Sequence, residues 1–257
     1  MHKSSCTRNK IAEKILSPHD CSRYARHVMM PEFGVEGQLK LRRGRVLVIG
    51  AGGLGSPVLM YLAAAGVGHI TVADGDCVDI SNLQRQIIHT TADISRLKVL
   101  SAAETMVAIN PEVDVKVVEE FLEAERLAEL VDEVDFVVDA TDNYESKFMI
   151  NDVCVARKKP YSHGSIFKFK GEAMTILPGH ACYRCLFSEP PLPFTVPAGP
   201  IGVLPGVIGA IQATEAVKYL TGLGELLVNR VLVYDALSMR VETYSIERDP
   251  CCISCSK

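Results

Sequence analysis

The chain has 257 residues, 48% hydrophobic and 23% charged, a composition that suits one sizeable globular α/β domain and leaves no room for extensive disorder. A formal net charge of −4 and a pI near 6.0 lack the basic footprint of a nucleic-acid binder, and no uninterrupted apolar run reaches about 18 residues, so no membrane span is expected. The basic opening MHKSSCTRNKIAEKIL carries no continuous apolar segment of the signal-peptide kind, which points to a cytoplasmic protein, and there clustered cysteines read as metal ligands before disulfides.

In chain order, Ser17-Pro18-His19-Asp20 reads as a helix start: Ser as cap, Pro at the first helical position and an acid three residues after the cap. A short helix through Arg23, Arg26 and His27 follows. Strand 46 to 49, helix 55 to 65 and strand 69 to 73 make a first βαβ unit. A helix from about Ser95 to Ile109 stops before Pro111, because the residue before proline avoids the helical region. DVKVV is a strand, EAERLAELVDE a helix, and VDFVVDAT a strand buried on both faces. A helix from about Tyr144 to Ala156 and a strand at 160 to 163 continue the alternation, which implies a doubly wound, mostly parallel, Rossmann-like sheet. FKFKGEAMTIL and RVLVYDALSMRVETYSI then read as long strands without crossover helices, hence an antiparallel C-terminal extension. Between them lies a long loop holding six of the thirteen prolines, from Pro190 to Pro205, and long stiff loops in compact folds are usually functional. The helix GVIGAIQATEAVKYLTG closes that segment. No repeats or low-complexity linkers divide the chain. It is expected to be one domain over 1–257, with an N-terminal helical segment at about 17–44, a nucleotide-binding core at about 45–165 and the extension at about 166–257.

Three constellations carry chemistry. VLVIGAGGLG places Gly50, Gly52 and Gly55 at the G-x-G-x-x-G spacing after a strand, with Asp74 where a dinucleotide fold puts its ribose-binding acid. The segment after Asp74 supplies Asn82, Arg85 and then Lys98, groups that handle phosphate rather than ribose alone. VVDATDN ends a buried strand in Asp139, Thr141, Asp142 and Asn143; Asp142 suits a Mg²⁺ that bridges phosphates, while Asp139 has a structural reading as well. Finally, Cys182-Tyr-Arg-Cys185 and Cys252-Ile-Ser-Cys255 together offer four thiolates for a closed, structural Zn²⁺ site. Cys251 competes with Cys252 but lacks its two-residue spacing to Cys255. Of the remaining cysteines, Cys6, Cys21, Cys77 and Cys154, we expect Cys77 and Cys154 to pack in the core.

The order and spacing of SRYARHVMMPEFGVEGQ, GAGGLG, SNLQRQIIH, INP, DATDN, GSIFKFKGE, CYRCLF, GVIGAIQATEAVKYLTG and the terminal CxxC resemble the HesA/MoeB/ThiF family, the adenylyltransferases of molybdopterin and thiazole biosynthesis related to ubiquitin-activating enzymes. The resemblance covers nearly the whole chain and is nearest in type to the molybdopterin-synthase adenylyltransferase. It implies that ATP·Mg²⁺ adenylates the C-terminal glycine carboxylate of a small ubiquitin-like sulfur-carrier protein ending in Gly-Gly, releasing pyrophosphate. On that pattern Gly52 and Gly53 let the backbone approach the nucleotide, Asp74 holds the ribose, Asn82, Arg85 and Lys98 contact phosphates, and Asp142 binds magnesium. Arg26 matches an arginine that reaches a neighbouring subunit's nucleotide, which implies a homodimer. Relatives carry a loop cysteine that bonds covalently to the carrier, but the matching position here is Thr195. A hydroxyl cannot exchange sulfur, so thiolation is expected to fall to a separate sulfurtransferase or cysteine desulfurase.

Other readings explain less. An NAD-dependent oxidoreductase accounts for GAGGLG and Asp74 but not for Arg85, Lys98, Asp142 or the CxxC pairs. Activation of a small-molecule or tRNA-linked carboxylate keeps the ATP site without a carrier, and a silent module that binds ubiquitin-like folds predicts a damaged nucleotide site.

Overall fold

The computed structural model describes residues 16–189 and 199–256, so Cys6 and Thr195 lie outside the described residues. Helices α1 (Pro18–Arg23), α2 (Ala25–Val28) and α3 (Gly34–Arg43) lead into β1 (Arg45–Ile49), α4 (Gly55–Ala65) and β2 (His69–Ala73). After 3₁₀ turns at Ile80–Asn82 and Thr91–Asp93 come α5 (Lys98–Ile109), β3 (Asp114–Val118), α6 (Ala124–Asp132), β4 (Phe136–Asp139) and α7 (Tyr144–Ala156). The chain continues through β5 (Tyr161–Phe167), β6 (Lys170–Ile176), α8 (Tyr183–Leu186), α9 (Leu204–Thr221), β7 (Arg230–Asp235) and β8 (Arg240–Ser245).

All eight strands form one sheet in the order β3-β2-β1-β4-β5-β6-β7-β8. The first five are parallel, and β6, β7 and β8 add antiparallel strands beside β5. Alternation along β1 explains the two-sided core. Val46 and Val48 face a cluster with Val58 and Leu62 of α4 and Ile208 of α9, while Leu47 and Ile49 face one with Leu127 of α6 and Ile150 of α7. Burial on both faces requires an apolar run rather than an alternating one, as VLVI and FVV are. The order reverses between β1 and β4, and the crevice at such a switch point is where open α/β sheets hold ligands.

The N-terminal cap forms as read: Asp20 N–H donates to Ser17 Oγ (3.0 Å) and Ser17 N–H to Asp20 Oδ2 (2.8 Å). Three readings need correction. FKFKGEAMTIL is not one strand; β5 runs on to Phe167, the chain turns at Lys168 and Phe169, and β6 returns. Lys168 takes a left-handed φ of 52°, so no glycine marks the turn. RVLVYDALSMRVETYSI likewise folds as the β7–β8 hairpin, with Met239 at φ 55°. Cys154 is buried as expected, but Cys77 is exposed, because it lies past the end of β2 in a surface segment that pairs with the stretch around Leu97. No helix among the described residues is long and apolar enough to cross a membrane.

Candidate active site and metal centre

A cavity of about 550 Å³ opens at the carboxyl ends of β1, β2 and β4. Gly50, Gly52 and Gly53 line it, together with Asp74, Asp76, Arg85, Gln86, Lys98 and the segment Ala140–Tyr144. Gly50 sits at φ +100°, and a Cβ there would lie 2.7 Å from Ala140 O. A Cβ on Gly55 would meet Gly50 O at 2.0 Å. The outer glycines therefore permit the strand–turn–helix packing itself, and Gly55 supports the loop without lining the cavity.

Asp74 closes the loop from beneath. Its carboxylate accepts from Ala51 N–H (2.8 Å) and Asp76 N–H (2.8 Å), leaving outward lone pairs free for hydroxyl donors. His89, which sequence reasoning missed, is buried; its Nε2–H donates to Ala51 O (2.9 Å), and Nδ1 of the neutral ring accepts from Ser101 Oγ (2.8 Å). Burial lowers its pKa, so at neutral pH it holds the loop as an uncharged imidazole. Three cations line the cavity: Lys147, which is held by the buried Asp139, and the two that are free to meet a ligand, Arg85 and Lys98. Arg85 is half-buried and touches Ser81 O (3.3 Å). Lys98 opens α5, and its buried Nζ rests on Asp76 Oδ2 at 2.9 Å. Asp142 is exposed and lines the same cavity, and among the described residues no hydrogen bond or ion pair engages its carboxylate. Such a free carboxylate beside two phosphate-suited cations fits a Mg²⁺ that takes its other ligands from phosphate and water.

Asn143 caps α7 by accepting Ser146 N–H at 2.8 Å. Beneath this turn sits a charge network that the sequence did not reveal. Asp139 is fully buried and accepts from Thr141 Oγ1 (2.6 Å), Lys147 Nζ (3.1 Å) and His163 Nδ1 (3.0 Å). Burial alone would raise its pKa, but the Lys147 ammonium and the His163 hydrogen bond hold the carboxyl well below the usual range. His163 Nε2 faces Glu172 Oε1 at 3.5 Å without hydrogen-bond geometry. Lys147 also donates to Gly164 O (2.7 Å), so it ties α7 to β5.

Asn82 and Arg26 do not line the cavity. Asn82 ends a 3₁₀ turn and is half-buried; Arg26 is exposed on α2.

The four cysteines of the CxxC pairs converge, their Sγ atoms all within 4.8 Å of one another. Cys182 lies 4.0 Å from Cys185 and 3.7 Å from Cys252, and Cys185 lies 3.5 Å from Cys255. Tetrahedral zinc with Zn–S of about 2.3 Å requires sulfur separations of about 3.8 Å, so the donor set and its spacing fit Zn²⁺. Cys251, exposed, stays outside the cluster. The knuckle joins the cavity wall through α7. Asn151 Oδ1 accepts from Tyr183 N–H (2.9 Å) and Tyr161 Oη (3.0 Å), and Arg184 grips Asp152 with two bonds of 2.6 Å. Cys182→Ser is expected to release zinc and cost more than about 4 kcal/mol, lowering Tm by roughly 10 °C or more; metal analysis with thermal melting checks this, and full zinc content with an unchanged Tm would refute it.

The fold has close likenesses among solved structures. Escherichia coli MccB with ATP superposes with a TM-score of 0.82 at 22% identity, covering 99% of this chain and 81% of that one. Curated relatives are much nearer in sequence. The SAMP-activating enzyme E1 of Haloferax volcanii is 48% identical over 239 residues, covering 91% of this chain and 88% of that protein. The sulfur carrier protein adenylyltransferase of Thermus thermophilus is 42% identical over 246 residues, 92% of this chain and 91% of that one. With the probable adenylyltransferase/sulfurtransferase MoeZ of Mycobacterium tuberculosis the identity is 45%, but the chain spans only 62% of that protein. Residues 24–254 match the ThiF family model, and the chain belongs to the ThiF family.

Proposed function

We propose that this adenylyltransferase uses ATP·Mg²⁺ to adenylate the C-terminal glycine carboxylate of a small ubiquitin-like sulfur-carrier protein, giving an acyl-adenylate and pyrophosphate for later thiolation by a separate sulfur donor. The observation that carries this reading is the convergence, in one cavity at the switch point of the sheet, of a glycine loop, Arg85, Lys98 and the unpartnered Asp142. A hydride-transfer site needs the loop and Asp74 but has no use for two phosphate-suited cations and a free carboxylate in one cavity. The names of the Haloferax and Thermus relatives, which cover most of their own length with this chain, support a carrier protein as the substrate.

In this reading Gly52 and Gly53 let the backbone amides approach the phosphates, and Asp74 accepts the ribose hydroxyls. Arg85 grips phosphate oxygens with its planar fork, and Lys98 leaves Asp76 to meet the charge that builds on departing pyrophosphate. Asp142 would hold the magnesium ion, which supplies charge neutralisation between phosphates when bound. Asn82 steadies the turn that carries Arg85, since Arg85 N–H donates to Asn82 O at 3.0 Å. Arg26 is exposed and does not line its own cavity, and it is assigned to the neighbouring subunit of a homodimer. The proline-rich loop contains no cysteine, which supports adenylation without a covalent carrier link at Thr195.

ATP–pyrophosphate exchange with Mg²⁺, run against each small protein ending in Gly-Gly from the source organism, tests the proposal. Exchange that depends on one carrier is the expected result. Exchange driven by a small carboxylate instead, or silence with every carrier, would overturn it.

A further inference from the structure

Beyond the phosphate groups, the cavity has an apolar end that no residue role above explains. It is lined by Ala73 at the end of β2 and by Phe121 and Leu122 beyond β3, with the Glu120 carboxylate beside them. Phe121 stands at the mouth, 71% exposed in the segment between β3 and α6, yet lining the cavity. Its ring covers the backbone of Gly75, where a Cβ would lie 2.7 Å from Cδ2, 2.8 Å from Cε2 and 2.9 Å from Cγ. Gly75 separates Asp74 from Asp76, so the ring sits directly beside the acid assigned to the ribose. Sheet order fixes the rest of the layout. Phosphates belong at the loop after β1, the ribose at the end of β2, and the base therefore extends toward β3 and the segment that follows it.

We infer that Phe121 is the platform on which the nucleobase stacks, with Gly75 small so that the ring lies flat against the backbone. This rests on the cavity's being a nucleotide site. An aromatic side chain left 71% exposed gains little beyond its contact with Gly75 from its own fold, whereas stacking a base on it buries one face of each ring. Stacking is tolerant of base identity, so Phe121 supplies affinity for the nucleoside, and hydrogen bonding elsewhere selects adenine.

The test uses the absence of tryptophan from the chain. In Phe121→Trp the indole is the sole tryptophan, and its emission should be quenched by ATP and by AMP but not by pyrophosphate. In Phe121→Ala, calorimetry should show ATP and AMP binding weakened about tenfold or more, pyrophosphate binding unchanged and Tm unchanged. Gly75→Ala, which lifts the ring without removing it, should weaken ATP in the same sense. Wild-type protein that binds ATP while Phe121→Ala binds it equally well would overturn the inference alone. Wild-type protein that binds no ATP would overturn the nucleotide site and this inference together.

Discussion

Asp142→Ala is expected to reduce ATP–pyrophosphate exchange by about a thousandfold or more while leaving fold, Tm and zinc content unchanged. The asymmetry follows from how the carboxylate is placed. It is exposed, and among the described residues nothing in the protein engages it, so its removal breaks no native contact. A metal-bound carboxylate in a phosphoryl-transfer site, by contrast, contributes several kcal/mol of charge stabilisation, and each 1.36 kcal/mol is a factor of ten in rate. Asp142→Asn, which keeps shape and loses charge, should be nearly as inactive. A fully active Asp142→Ala enzyme would remove this residue from the mechanism and relocate the metal.

Lys147→Met should do the reverse, striking stability first. Asp139 has no exposure, and Lys147 supplies the charge that permits it to remain ionised there. Breaking one side of a buried pair leaves an uncompensated charge and costs about 3–5 kcal/mol, which chemical denaturation would read. The pH dependence has a definite sign. A carboxylate with a depressed folded-state pKa stabilises the protein above its unfolded value, near 4, and loses that contribution as pH falls through the folded value. In Lys147→Met the Asp139 pKa rises, so the buried group takes up a proton on mild acidification. The gap between wild type and variant should therefore be widest near pH 7 and narrow toward pH 4. A constant gap would mean that Lys147 acts through packing and its bond to Gly164 O rather than through charge. Activity should fall as well, because Asp139 Oδ1 also accepts Thr141 N–H (3.1 Å) and so sets the backbone that presents Asp142.

Much of this architecture was legible in advance because the parallel half obeys strong rules. A strand buried on both faces must be a continuous apolar run, and a phosphate-binding turn needs its glycines, so VLVIGAGGLG and VDFVVDAT could be placed without a structure. The two hairpins were read as single strands because their turns carry no conventional marker. Lys168 and Met239 accept left-handed backbone where glycine or asparagine is usual. The site was readable where charge sat beside glycine and opaque where charge was buried. Lys147 occupies a helix and His163 a strand, and nothing in the local pattern distinguishes an inward-facing cation from a solvated one. Phe121 was hidden for the opposite reason: a single aromatic in the acidic stretch EEFLEAE offers no period from which a cavity could be inferred.

The four-cysteine cluster also constrains how the molecule is made. Its ligands come in two pairs, one following β6 and the other beyond β8, so no closed metal site exists until residue 255 has been synthesised. The parallel strands, complete well before that point, can collapse on the ribosome as an N-terminal unit, whereas the β7–β8 hairpin must wait beside them with its last clasp unfastened. During that interval the hairpin is held less firmly, and β8, the outermost strand, is an edge open to pairing with other nascent chains. Chains made without a metal to close the four thiolates are thus expected to aggregate during synthesis more than chains made with one.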